Sequence, residues 1–271
     1  MESMVFISGA VGGFGRAVAA ECASRDYALF LTDLDGERLT VLAGALSRAY
    51  HVRVETAACD MARAESRSAL FERLAAQECR FWMVINVAGM AYEGPFLERT
   101  RGEITNIVRV NVESTLDVTR ALLDLRDRTK TCRIINVCSM AGFYPMPVMA
   151  TYAATKRLLI NISIALADEL AACGVTVTAL CPAGMPTNED SCRAIEAQGF
   201  LGRITTQNVS SIAARTIDLA LRGRRIFIPG KFNRFLHCAG TLVPPVVISK
   251  LVGSRWRSAQ ARRRASLTEV N

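Results

Sequence analysis

Tyr152 and Lys156, in Tyr152-Ala153-Ala154-Thr155-Lys156, lie four residues apart, which places a phenol and an ammonium on one face of a helix. Such a pair transfers protons. A cation within a few ångströms favours the phenolate and draws a group with an ordinary pKa of about 10 toward neutrality. Ser139 closes the strand-like run Arg133–Cys138, thirteen residues before Tyr152. Its hydroxyl can hold a substrate oxygen while Tyr152 exchanges a proton with it. A Tyr-x-x-x-Lys pair also arises by coincidence, but the choice of cation argues for a role. Four of the 33 cationic residues are Lys and the rest are Arg, and Lys suits a compact charge that must reach a buried site on a flexible stem.

Strands and helices must alternate to bring these groups together. Strand-like runs occur at Met4–Ser8, Ala28–Thr32, Val52–Ala57, Phe81–Asn86, Arg133–Cys138, Thr176–Cys181 and Arg225–Ile228. Helical patterns fill the gaps at Phe14–Ser24, Glu37–Ala49, Ala64–Gln77, Arg101–Leu123, Ala150–Ala172 and Val209–Leu221. This order predicts an α/β fold with a seven-stranded parallel sheet covered by helices on both faces. With 271 residues, 51% of them hydrophobic, the chain can bury the core of one large α/β domain.

The turn Ser8-Gly9-Ala10-Val11-Gly12-Gly13-Phe14-Gly15 follows the first strand and opens the first helix. Glycines there let the backbone approach a pyrophosphate, and the helix N-terminus supplies N–H donors and positive potential. Asp33 ends the second strand, eighteen residues after Gly15. A carboxylate there accepts hydrogen bonds from an adenosine ribose and repels a 2′-phosphate. Leu34 follows it, and no basic residue lies between Gly9 and Gly15, so NAD is expected over NADP. Asp33 also reads as a turn residue, beside Asp35 and Gly36.

The glycine turn, Asp33, Asn86-Val87-Ala88-Gly89, Asn111, Ser139 and Tyr152-x-x-x-Lys156 together resemble the short-chain dehydrogenase/reductase family over residues 4–230. The resemblance implies a single doubly wound Rossmann domain over residues 1–230, followed by a C-terminal extension over 231–271. It implies catalysis by Asn111, Ser139, Tyr152 and Lys156. Tyr152 would be the general acid/base, Ser139 would orient the substrate oxygen and Asn111 would hold a relay water. Lys156 would bind the nicotinamide ribose and lower the pKa of Tyr152. Cofactor contacts would come from Ser8, Gly9, Gly13, Phe14, Gly15, Asp33, Asp60, Met61, Asn86, Ala88, Gly89, Tyr152, Lys156, Pro182 and Thr187, with Asp60 on the adenine and Thr187 on the carboxamide. Thr187 also reads as a helix N-cap. Four positions depart from the family pattern: Ser8 in place of Thr, Phe14 in place of Ile, Val87 in place of a second Asn, and Ala183 in place of Gly after Pro182. A homodimer or homotetramer would pair through Arg101–Leu123 and Ala150–Ala172.

The soft, apolar residues Met140, Tyr144, Met146 and Met185 are expected to touch the substrate, with Phe143, Met149, Phe200, Leu201, Met90 and Tyr92 nearby. Such a wall suits a sterol-, bile-acid- or lipid-like secondary alcohol or its ketone. A 3-oxoacyl reductase acting on a carrier-bound substrate is the alternative within enzymes. A non-catalytic dinucleotide sensor is the alternative outside them.

Nine cysteines without a C-x-x-C pair read as buried free thiols of a cytoplasmic protein. With two His, no metal site is expected. The N-terminus shows no signal-peptide pattern. The net charge of +8 is concentrated at the end of the chain: Leu219 to Thr268 holds eleven basic residues and no acidic one. They are Arg222, Arg224, Arg225, Lys231, Arg234, Lys250, Arg255, Arg257, Arg262, Arg263 and Arg264. No nucleic-acid-reading motif accompanies them, so nucleic acid is not an expected partner. The apolar run Leu236–Val252 is broken by His237, Pro244-Pro245 and Lys250, which argues against a membrane span. Two readings of residues 232–264 stay open: peripheral docking on an anionic membrane, and packing on another subunit.

Overall fold

A computed structural model describes residues 2–187 and 189–268; the side chains of Asp190, Ala194, Leu201, Arg203, Arg257 and residues 259–268 lie outside that description. Of the sequence expectations, those on the side chains of Leu201, Arg257, Arg262, Arg263 and Arg264 fall there.

Seven strands form one sheet: β1 (Met4–Ser8), β2 (Leu29–Asp33), β3 (Val54–Ala58), β4 (Phe81–Asn86), β5 (Cys132–Val137), β6 (Val175–Leu180) and β7 (Ile226–Phe227). Their order is β3-β2-β1-β4-β5-β6-β7, and every neighbouring pair is parallel. The chain starts mid-sheet, winds outward through β2 and β3, then crosses back to β4 and winds the other way. That reversal leaves a crevice at the carboxyl ends of β1 and β4.

Every residue of β1 is buried, as a central strand covered on both faces requires. On one face Val5, Ile7, Leu29, Leu31 and Ile85 pack with α1 (Gly13–Ala23) and α9 (Val209–Leu221). On the other, Phe6, Phe30 and Phe81 stack with centroids 5.8–6.1 Å apart. These rings pack with α3 (Ala64–Ala76) and α5 (Ser114–Asp124). Local chemistry sets two helix starts. The Asp35 carboxylate accepts from the Arg38 amide at the head of α2 (Gly36–Tyr50). Thr100 and Glu103 form a capping box on α4 (Arg101–Val108).

The continuous helix expected over Arg101–Leu123 is interrupted. Residues Arg109–Glu113 make a π-helical turn between α4 and α5, with Asn111 fully buried inside it. The physical reason lies in the buried amide, whose partners sit outside the helix: it donates to Met90 O and Thr155 Oγ1 and accepts from Met90 N. A buried amide needs such partners, and the wider turn aims it at them.

After α6 (Ala150–Glu169), four helices not anticipated as such complete the chain: α7 (Glu189–Ala197), α8 (Gly199–Thr205), α10 (Lys231–Thr241) and α11 (Pro245–Thr268). Pro244-Pro245, which breaks the apolar run, starts α11 with a proline in its first turn, where the missing N–H has no consequence. Among the described residues, no helix is long and apolar enough to cross a membrane.

Candidate active site

A cavity of about 1800 Å³ runs along the carboxyl ends of the strands. Gly9, Gly13, Phe14, Gly15, Asp33, Asp60 and Met61 line it together with Ala88, Gly89, Ser139, Tyr152, Lys156, Pro182 and Thr187.

The glycine turn is a cradle with no room for side chains. Gly9 has φ +67°, a left-handed conformation that suits glycine. A Cβ on Gly13 would come within 2.7 Å of Thr187 Cα, so the Pro182–Thr187 segment lies directly on the turn. α1 begins with no side-chain cap and no acidic residue in its first turn, which leaves N–H donors and positive potential for an anion. Asp33 accepts from Val11 N at 2.9 Å and from Leu34 N at 2.8 Å. It therefore fixes the turn while lining the cavity, and its remaining lone pairs can accept from ribose hydroxyls. Arg16 and Arg38 line the same cavity; Arg16 lies one residue past the glycine turn and Arg38 in the first turn of α2, beyond Leu34.

Ser8 and Asn86 do not reach the cavity. The buried Ser8 hydroxyl accepts from Ala88 N at 3.3 Å. Buried Asn86 donates to Thr119 and to Asn136, which donates onward to Ser163. Both side chains tie strands and helices together beneath the floor, because buried polar groups next to strand ends are drawn to the nearest partners. Asp60 accepts from the Ala62 amide. Buried Arg67 donates to Met61 O at 2.7 Å and pairs with Asp117 at 2.6 Å and with Glu113. One side chain thus joins the Met61 loop to the π-helical turn that holds Asn111.

Ser139 caps the short 3-10 turn Met140–Phe143 by accepting from the Ala141 amide at 3.1 Å, so its own proton is free to be donated. Lys156 is buried and donates to Val137 O at 2.7 Å, with its ammonium 5.8 Å from the Tyr152 ring centroid. The expected depression of the Tyr152 pKa is overturned in the protein by itself. Burial is the largest influence and raises the phenol above its ordinary value, while the Ser139 hydroxyl pulls the other way. Burial also lowers the pKa of Lys156. The penalty for a buried phenolate outweighs a lysine turned toward a backbone carbonyl.

Asn111 stands behind the cavity wall rather than on it. A Cβ on Gly89 would lie 3.3 Å from both Asn111 Oδ1 and Lys156 Nζ. Asn111 also reaches Tyr152 indirectly, since Thr155 Oγ1 accepts from Asn111 and donates to Tyr152 O at 2.7 Å. Thr155 was not singled out from the sequence; its place one residue before Lys156 was the available signal.

Met140, Tyr144, Met146 and Met185 all line the cavity, joined by Met90, Tyr92 and Met149. Phe143 instead packs on His237, with centroids 4.0 Å apart, and Phe200 is exposed outside the cavity. A further wall comes from the C-terminal helices: Leu236 and Gly240 of α10, Val243 between them, and Ile248, Val252 and Trp256 of α11. The Tyr144 hydroxyl donates to Leu236 O at 3.0 Å and pins α10 to the body.

The chain is similar to known proteins in sequence and fold. A family model for short chain dehydrogenases matches residues 3–194. A very-long-chain 3-oxoacyl-CoA reductase of Coprinopsis cinerea is 31% identical over 63% of this chain and 51% of its own length, so the match spans about half of that relative. A sulfoacetaldehyde reductase of Chromohalobacter salexigens is 32% identical over 70% of this chain and 75% of its own. The structure of a Sphingobium yanoikuyae short-chain dehydrogenase in complex with NADPH is 27% identical, with a TM-score of 0.73 over 89% of this chain and 93% of that one.

Proposed function

The chain belongs to the short-chain dehydrogenase family of NAD(P)-dependent oxidoreductases, and we propose that its substrate is an apolar secondary alcohol or the matching ketone. The observation that carries this reading is the set of apolar side chains, Leu236, Val243, Ile248, Val252 and Trp256, that the C-terminal helices add to the cavity holding Ser139 and Tyr152. The names of the relatives do not decide the substrate, since one acts on a long acyl chain and another on a small anionic aldehyde.

The cavity fits a nicotinamide dinucleotide. A glycine cradle without side chains, the uncapped start of α1 and the Asp33 carboxylate suit its pyrophosphate and ribose, and the reactive pair Ser139–Tyr152 lines the same cavity. When bound, the nicotinamide exchanges a hydride with the carbon that bears the substrate oxygen. The chain supplies the rest. The Ser139 proton holds the carbonyl oxygen, and the Tyr152 phenol passes its proton to that oxygen as the alcohol forms. In the reverse direction the phenolate takes the alcohol proton.

Asp33 favours NAD. Arg16 and Arg38 in the same cavity favour a second reading, NADP. A second reading of the substrate is a 3-oxoacyl group on coenzyme A or a carrier, favoured by the cation of Arg255 on this wall. The test is absorbance at the reduced-nicotinamide band with NAD or NADP, across sterols, aliphatic ketones and 3-oxoacyl thioesters, with Tyr152→Phe as the blank. Turnover of sterols or ketones that vanishes in the variant supports the reading; turnover confined to thioesters moves the assignment to the acyl reductase.

A further inference from the structure

Besides lining the cavity, α10 and the first turns of α11 carry an apolar surface that no described residue covers. Phe235, Leu242, Val246 and Leu251 are 65%, 86%, 68% and 66% exposed, and Phe232 and Val247 stand out beside them. On α10, Asn233, Leu236 and Gly240 line the cavity; Phe232 and Phe235, with Leu242 just past the helix end, are exposed, and Lys231 and Arg234 are exposed beside them. Lys250 stands exposed on α11 between Val246 and Leu251. Leu251 lines the cavity and is also largely exposed, so it marks the cavity mouth on this same face.

We propose that this face docks the enzyme on an anionic lipid surface, with the mouth of the substrate cavity turned toward the lipid. Exposed rings and aliphatic chains on one side of a helix, flanked by cations, match the boundary between acyl chains and anionic headgroups. Charge argues against a second copy as the occupant. A two-fold interface sets the same surface against itself, and this one carries Lys231, Arg234 and Lys250 in a stretch from Leu219 to Thr268 that holds no acidic residue. Nucleic acid would meet the cations but leave the apolar stripe in water. The proposal goes beyond the catalytic reading and stands or falls separately from it.

The test is flotation of the full-length protein with phosphatidylglycerol or phosphatidylcholine vesicles. Two triple variants accompany it, Phe235→Ser/Leu242→Ser/Val246→Ser and Lys231→Gln/Arg234→Gln/Lys250→Gln, with circular dichroism and nucleotide binding to establish that both are folded. The expected result is binding to phosphatidylglycerol well above phosphatidylcholine, weakened about tenfold or more in each variant and reduced by salt. Wild-type protein that fails to float, or folded variants that float as well as wild type, would overturn it. So would a wild type that stays off vesicles and loses a subunit contact in the apolar variant by light scattering, which assigns the face to a second copy.

Discussion

On the floor of the cavity, Ser139, Tyr152 and Lys156 sit on strand ends and a buried helix face, and their neighbours are tied by short hydrogen bonds through Val137, Ala141, Asn111 and Thr155. On the roof, α10 meets the body through the Tyr144–Leu236 bond, the Phe143–His237 stack and the Asn233 bonds to Thr205 and Pro229, α11 packs on α7, and much of their apolar surface faces outward. The floor is densely hydrogen-bonded where protons must move over fractions of an ångström. The roof is largely apolar surface, which suits the proposed selection of a substrate by size and hydrophobicity. The contrast teaches that the groups proposed for the chemistry and the wall proposed to select the substrate are built differently, one from polar ties and one from apolar packing.

Breaking the floor gives the largest effect. Tyr152→Phe should lower kcat by about 10³-fold, within the range for a general acid, and leave nucleotide affinity unchanged by fluorescence titration. A loss shared between kcat and nucleotide affinity would mean that Tyr152 holds the cofactor rather than the proton. Arg67→Ala should come next. It removes the buried cation between Met61, Glu113 and Asp117 and should cost about 3 kcal/mol in urea denaturation, the low end for a broken buried pair because both carboxylates can turn to water. A change near zero would show that the adenosine-side loop and the π-helical turn are not coupled through it.

Breaking the roof should act on binding instead. Val243→Asp places a charge on the apolar wall and should raise KM for an apolar ketone about tenfold, near the value of one buried side chain, with kcat on a short ketone kept. The smallest effect is a pH response. Burial first, and Arg157 second, lower the pKa of His237 below 6.5. The unfolded chain then takes up the proton first, so this contribution is fully present above pH 6.5 and is lost as pH falls through that value toward the folded pKa. With Trp82→Phe leaving Trp256 as the reporter on the roof, its emission should shift between pH 7.5 and about 5, and His237→Phe should remove the shift. A shift unchanged in His237→Phe would assign it to another group.

The floor was legible in the sequence because its signals are local. Glycine spacing after β1, Asp33 at the end of β2 and Tyr152 four before Lys156 each sit on one element whose period is readable. Strand boundaries fell within two residues for the same reason: β1 and β4 are continuous apolar runs bounded by turns. Ser8 and Asn86 were misplaced because side-chain direction at a strand end depends on neighbours far along the chain, such as Thr119 and Asn136. The pKa of Tyr152 was misjudged because spacing shows a nearby lysine but neither the burial of the phenol nor the carbonyl of Val137 that claims the ammonium. The roof was read as an apolar run and a tail because Pro244-Pro245 hides two helices, and because Leu236, Val243, Ile248 and Trp256 converge on the cavity only once α10 and α11 fold back over it.

The most direct test of a floor that performs the chemistry and a roof that selects the substrate is kcat/KM along a series of ketones of increasing chain length, in wild type and in Val243→Asp. Each methylene taken up by the roof is worth about 0.8 kcal/mol, or roughly fourfold. The account predicts a steady rise in wild type that flattens in the variant; a flat series in wild type would contradict it.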